Sequence, residues 1–206
     1  LLLKELTDLE PRLRDYVYVF DVPSTDLESL TVFARAADAV VVWGGDEAVR
    51  AARRLADPDT QVISWGHKLS FAYAVPDPPD RDLEALARHV CLTRQLLCSS
   101  CQGIFVDTAD MGAVEAVGER FFAALQAENR RHPPADLGLR ARAALQVYSM
   151  ELEETGPRVL RSGGVSVVIA PDSRLELSPL AGNCWVKPLP RERIPAALGG
   201  KRGYLQ

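Results

Sequence analysis

Ala37-Asp38-Ala39-Val40-Val41-Val42-Trp43-Gly44-Gly45-Asp46-Glu47-Ala48-Val49 is the stretch on which the fold turns. Its residues 39–43 form an unbroken apolar, β-branched run, the pattern of a strand buried on both faces of a parallel sheet. Gly44-Gly45 converts it directly into a helix expected over 46–56, with Val49, Ala52 and Leu55 inward at helical spacing. Upstream, Tyr16-Val17-Tyr18-Val19-Phe20 reads as a strand. Thr25 with Glu28 reads as a capping box opening a helix on Leu27, Leu30 and Phe33. Downstream, residues 61–65 read as the next strand and 68–75 as another extended piece. Strands alternating with helices predict parallel pairing through crossover helices, hence an α/β chain holding half of a doubly wound sheet.

Pro76-Asp77-Pro78-Pro79-Asp80 breaks this pattern and predicts a domain boundary, 1–78 against 79–206. Beyond it Asp82 is expected to cap a helix on Leu83, Leu86, Ala87 and Val90. A polar turn around Cys98 follows, then a strand over 104–107 and a long amphipathic helix over 110–129 carrying Val114, Val117, Phe121 and Leu125. A further helix is expected over 137–154, and strands over 158–162, 165–170 and 184–188. The chain opens without methionine and closes on Tyr204-Leu205-Gln206, which reads as the start of a strand. A piece of a longer protein is therefore expected.

Composition excludes several classes. Of 206 residues 47% are apolar, enough for a core and too many for wholesale disorder. A net charge of −4 does not suit a nucleic-acid-binding surface, which needs cations to neutralise phosphates. No apolar run approaches the roughly 20 residues of a membrane-spanning helix, and Lys4 and Glu5 follow the opening leucines too closely for a signal peptide. Four cysteines are too few for a disulfide scaffold at this length, so a reducing cytoplasm is expected.

The segment around Cys98 carries the chemistry. A cysteine in a small-residue turn between helix and strand can be exposed with backbone N–H groups nearby, and both favour the nucleophilic thiolate. Buried filler is the competing reading. Cys98-Ser99-Ser100-Cys101 also has the spacing of a redox dithiol, but that motif normally opens a helix and here closes one. A structural zinc would need four ligands, with only Cys91 and His89 nearby and no second pair, so no metal is expected. Gly44-Gly45 before a helix start is a weak phosphate-loop signal. Asp46 and Glu47 oppose it, and a tight turn that glycine tolerates explains it equally well. His67 follows a strand end, where α/β ligands bind, and can equally be a surface histidine.

Several of these segments together resemble the LuxC-type fatty acyl reductases, a branch of the aldehyde dehydrogenase superfamily. Residues 37–49 resemble the final strand–turn–helix of their cofactor domain. Gly66-His67-Lys68-Leu69-Ser70-Phe71-Ala72 resembles their G-x-K-x-S-F-A segment, and Gln95-Leu96-Leu97-Cys98-Ser99-Ser100-Cys101-Gln102 their Q-x-x-C-S-S-P-Q nucleophile loop. Residues 177–180, 185–189 and 203–206 fit later stretches, in order.

The resemblance implies an aldehyde dehydrogenase-like α/β fold. Part of a Rossmann-like parallel-sheet domain that binds NADP (1–78) would precede a thiol-bearing α/β catalytic domain (79–206) incomplete at its C-terminus. It implies NADPH-dependent reduction of long-chain acyl-CoA or acyl-protein thioesters to fatty aldehydes. Cys98 would accept the acyl group, with an acyl-CoA or an acyl-carrier protein or synthetase as donor. Gly44 and Gly45 would lie by the dinucleotide, Glu176 on the nicotinamide ribose, and His67 would carry protons, imidazole titrating at about 6.5. Superfamily analogy implies a homo-oligomer. Cys101 departs from the family's proline, which removes a backbone constraint and raises the prospect of a Cys98–Cys101 oxidative link. Ser64 stands where hydrolytic relatives have the glutamate that activates water, and a serine is no general base at neutral pH. A non-catalytic α/β interaction module, or a degenerate remnant of such an enzyme, is the alternative.

Overall fold

The computed structural model describes residues 2–66, 68–133, 136–152, 156–201 and 204–205. The chain divides into two compact units, Leu1–Gly66 and His67–Gln206.

In the first unit a short helix α1 (Leu2–Leu9) and a 3-10 turn (Pro11–Asp15) precede α2 (Leu27–Ala36), β1 (Ala39–Trp43), α3 (Asp46–Leu55) and β2 (Gln61–Trp65). β1 and β2 pair in parallel, Ala39 opposite Gln61 through Trp43 opposite Trp65, with α3 as the crossover. The expected strand at 16–20 does not form. It has no ladder partner among the described residues, and its side chains are exposed except that Phe20 rests on Phe33 of α2, ring centroids 4.8 Å apart. Asp26 rather than Thr25 caps α2. The Asp26 carboxylate accepts from the Ser29 N–H at 3.1 Å and from the Ser29 hydroxyl at 2.8 Å. β1 is not buried on both faces. Its residues alternate between exposed and half-buried, and Val41, Trp43, Ile63 and Trp65 line one bare face of the pair. Two strands with helices on one side leave the other side uncovered within this unit.

The second unit holds β3 (Ser70–Ala74), α4 (Asp80–Thr93), β4 (Cys101–Val106), α5 (Met111–Arg131), α6 (Leu137–Glu151), β5 (Arg158–Ser162), β6 (Val165–Ile169), β7 (Asn183–Pro188) and α7 (Ile194–Leu198). The sheet runs β3-β4-β7-β6-β5, parallel except for β5, which folds back on β6. β3 thus joins the second unit's sheet, and the division between units falls upstream of the Pro-rich stretch at 76–79. Leu205 adds an isolated parallel bridge to Leu69. α4 begins at Asp80 behind Pro79, which needs no N–H there, so Asp82 lies inside the first turn instead of capping it.

Both faces of this sheet are covered. Val90, Val114, Val117, Phe121 and Leu125 of α4 and α5 pack on Ile104, Val106, Val167 and Val186, all at 0% exposure. Phe105, Trp185, Leu189 and Leu198 form the core on the other face. Each large side chain buried this way contributes roughly 1.5–3 kcal/mol. β4 and β7, central and buried throughout, are the rigid platform from which the candidate site is hung.

Candidate active site

The thiol turn sits at the entry to β4. α4 stops at Thr93 because Arg94 (φ 53°) and Gln95 (φ 60°) take the left-handed conformation. Leu97-Cys98-Ser99-Ser100 then closes a β-turn. The Ser100 N–H donates to the Leu97 carbonyl at 2.9 Å, and the Leu97 N–H donates back to the Ser100 hydroxyl at 3.1 Å. Cys98 is exposed, whereas Cys91, Cys101 and Cys184 are buried. The Ser70 hydroxyl, from the start of β3, donates to the Cys98 carbonyl at 3.2 Å. A trans peptide carries C=O and N–H on opposite sides, so the Ser99 N–H points away from Ser70. Among the described residues neither the Cys98 nor the Ser99 N–H makes a hydrogen bond.

The other thiols are chemically quiet. Burial pushes Cys91 and Cys101 up to about 11, and raises Cys184 as well, so all three are neutral thiols at physiological pH. Cys101 is not a loop residue. It is the first residue of β4, buried, with its thiol turned to the Gly103 carbonyl at 3.1 Å, and both it and Cys98 are free thiols.

Three segments distant in sequence meet beneath the turn. The Gln95 amide nitrogen lies 3.0 Å from both the Cys101 carbonyl and the Ser178 hydroxyl, and its oxygen accepts from the Gly182 N–H at 3.0 Å. The Ser178 hydroxyl donates to Gln102 at 3.0 Å, and the Gln102 amide donates to the Ser100 carbonyl at 3.0 Å. All of these side chains are buried, and a buried polar network holds only when each member is satisfied. Opposite Arg94 and Gln95, Leu180 (φ 66°) and Ala181 (φ 54°) are left-handed too, and the Ala181 N–H donates to the Arg94 carbonyl at 3.3 Å. Each non-glycine residue held there costs on the order of 1–2 kcal/mol, which the surrounding bonds must offset.

Glu176 lies two residues before Ser178, half exposed, on the segment that grips the thiol turn. Its carboxylate is engaged by Lys187 of β7. That ammonium is 1% exposed and also binds Asp172 at 2.9 Å and the Arg174 carbonyl at 3.2 Å, beside the Trp185 ring. Here the cation is dry and its carboxylates are partly wet. Leaving the ammonium unpaired in the double variant Asp172→Asn/Glu176→Gln is therefore expected to cost about 3–5 kcal/mol, more than Lys187→Met, which strands only hydrated anions. Denaturant titration of the three proteins reads the difference, and equal losses would contradict it. Burial raises the Asp172 carboxyl, but Lys187 and the Arg174 N–H outweigh it and hold it below the ordinary carboxylate range. A depressed folded value means the carboxylate stabilises above about pH 4 and that its contribution disappears as pH falls through the lowered value.

Gly44 and Gly45 join β1 to α3 at the carboxyl ends of two parallel strands, where the helix start presents backbone N–H groups. This backbone suits a dinucleotide. A Cβ on Gly44 would lie 2.8 Å from that of Ala48, so this glycine is required by helix packing rather than by a ligand. Ser64 is exposed on β2, and His67 lies outside the described residues. Among the described residues no cluster of His, Cys, Asp and Glu is placed to hold a metal ion, and no helix is long and apolar enough to cross a membrane. Reading the sequence placed Ser70, Gln95, Gln102 and Ser178 in family-like segments but gave them no role.

Comparisons with known proteins point the same way. Two curated relatives are both named long-chain acyl-protein thioester reductase. The one from Photorhabdus luminescens is 39% identical over 71 residues, and the one from Aliivibrio fischeri 32% identical over 71 residues. Each alignment covers 34% of this chain and 15% of the relative. Among solved structures, a protein from Anabaena variabilis described as an aldehyde dehydrogenase PutA superposes with a TM-score of 0.62 at 15% identity, over 96% of this chain and 46% of that one. An indole-3-acetaldehyde dehydrogenase solved with NAD+ gives 0.57 at 11% identity, over 78% of this chain and 37% of that one. These likenesses establish an aldehyde dehydrogenase-like α/β fold. With that fold, the thiol turn and a match to the family model for acyl-CoA reductase (LuxC) across residues 1–206, the chain belongs to the LuxC acyl-CoA reductase family.

Proposed function

We propose that this chain is the thiol-bearing part of an NADPH-dependent reductase that converts long-chain acyl thioesters to fatty aldehydes through an acyl group carried on Cys98. The observation that carries the reading is an exposed cysteine in a turn pinned from three segments, while the other three thiols are buried and neutral. The Cys98 thiolate adds to the thioester carbonyl, and the Cys98 and Ser99 N–H groups supply donors for the oxyanion. The bond to the donor thiol breaks, that thiol takes a proton, and the acyl chain is left on sulfur. A bound reduced nicotinamide dinucleotide supplies the hydride that lowers a thioester to the aldehyde level. Gly44, Gly45 and the start of α3 would hold that dinucleotide, with Glu176 on its ribose. Cys98 then departs as thiolate, ready for another acyl group, and His67 is the proposed proton carrier. The dinucleotide-binding and thiol-bearing parts would divide where the two compact units part, after Gly66.

The test is to incubate the full-length protein with hexadecanoyl-CoA or the corresponding acyl-carrier protein, and with NADPH or NADH, following aldehyde by mass spectrometry. Aldehyde formation is expected with NADPH. Free fatty acid as the sole product, or no product with any combination, would refute the reading. Ser64 supplies a second check. Without a carboxylate there, the acyl chain on sulfur is spared attack by water, so Ser64→Glu is expected to raise free-acid release about tenfold or more. Unchanged acid release would remove Ser64 from that position.

A further inference from the structure

We propose that Gln95 is a positioning residue: its side chain spans the Cys98 turn and latches both ends of it to the Ser178–Asn183 stretch. This rests on the reading that Cys98 carries the acyl group. Gln95 stands before the turn and Cys101 after it, and the Gln95 amide nitrogen reaches the Cys101 carbonyl at 3.0 Å, closing the turn with a side chain. The same nitrogen reaches Ser178, and the same amide's oxygen holds Gly182. The partners are acceptors on one side, the Cys101 carbonyl and the Ser178 hydroxyl, and a donor on the other, the Gly182 N–H. Only a primary amide of this length meets both demands. A glutamate would set a carboxylate against the Cys101 carbonyl, and an aliphatic side chain would take a partner away from the Cys101 carbonyl, the Ser178 hydroxyl and the Gly182 N–H at once.

The backbone supports the same reading. Arg94–Gln95 and Leu180–Ala181 are two left-handed pairs facing each other, and such conformations cluster where geometry is held for a purpose. They are tied by the Ala181 N–H on the Arg94 carbonyl and the Gly182 N–H on Gln95. Ser178 extends the tie through Gln102 to Ser100, the last residue of the turn. Gln95 bonds to the segments around the turn and, at 3.4 Å, to the buried Cys184 thiol, not to Cys98. It acts on the place from which the sulfur attacks, and a displacement of about 1 Å there costs about a hundredfold in rate.

The experiment uses the full-length enzyme with Gln95→Leu, Ser178→Ala and the double variant, all assayed below their unfolding midpoints. Gln95→Leu is expected to lower kcat for hexadecanoyl-CoA about a hundredfold with KM within about threefold. It should also speed amide hydrogen exchange at Leu97 and Ser100, the bonded amides of the turn, at least tenfold while leaving α5 unchanged. The double variant should be no worse than Gln95→Leu alone, because both side chains serve one latch. A folded Gln95→Leu with normal kcat, or with KM raised and kcat kept, overturns the proposal. Should Gln95→Leu fail to fold, Ser178→Ala decides: a fall in kcat with faster exchange at Leu97 and Ser100 supports the latch, and no change in either overturns it. Faster exchange in a protein that makes no aldehyde even as wild type would defeat the assigned reaction while leaving the latch in place.

Discussion

Gly103→Ala is expected to remove about 4 kcal/mol or more of stability, a large share of the roughly 5–15 kcal/mol that a folded domain possesses. Gly103 lies in β4 directly opposite Trp185 of β7. A Cβ at Gly103 would come within 2.2 Å of the Trp185 ring and 2.3 Å of its carbonyl oxygen. The carbonyl cannot move without breaking the β4–β7 ladder at the centre of the sheet. Nor is the ring free to turn, since its N–H donates to the Glu176 carbonyl at 3.1 Å and its face meets Phe105 at 4.7 Å. The measurement is a denaturant midpoint. A midpoint within experimental error of wild type would mean that β4 and β7 do not approach as described. Because Gly103 follows Gln102, a variant that survives should also lose the Gln102 bond to Ser100 and loosen the thiol turn.

Cys98→Ala is expected to abolish acyl transfer, with turnover falling by a factor on the order of 10³–10⁶, while the denaturant midpoint stays within about 0.5 kcal/mol of wild type. The two halves of this expectation come from one observation. Cys98 is exposed, so losing its sulfur removes no packing, whereas the turn around it is held by Ser70, Ser100 and Gln102, none of which touches the sulfur. Radiolabelled hexadecanoyl-CoA followed by acid precipitation measures the covalent acyl group. Undiminished labelling of the variant would take the role from Cys98. The buried, neutral Cys91, Cys101 and Cys184 are poor substitutes.

Much of the fold was legible because it rested on local signals. The β-branched run 39–43 and its two glycines identify β1 and the start of α3, and the amphipathic spacing of Val114, Val117, Phe121 and Leu125 identifies α5. The misreadings have local causes as well. Tyr16 to Phe20 has strand composition, but a strand exists only with a partner. Asp26 outcompetes Thr25 because a carboxylate serves both the N–H and the hydroxyl of Ser29. Of the site, the exposed thiol in a turn could be read in advance. The latch under it could not, because its bonds join residues 83 and 87 positions apart, a distance at which no spacing rule operates. Cys101 shows the same limit. A four-residue C-x-x-C pattern looks like one feature, yet the strand begins at its second cysteine, so one is wet and the other dry.

The bare tryptophan face of the first unit gives the chain a built-in optical label. Trp43 and Trp65 are 73% and 58% exposed, while Trp185, the third and last indole, is 3% exposed in the other unit's core. Red-edge emission that acrylamide quenches therefore belongs to residues 39–65, and blue, quencher-resistant emission belongs to β7. Two colours of intrinsic fluorescence can follow the melting of each half separately, with no dye attached. Anything that settles on the 41–65 face will announce itself as a blue shift of the first colour alone.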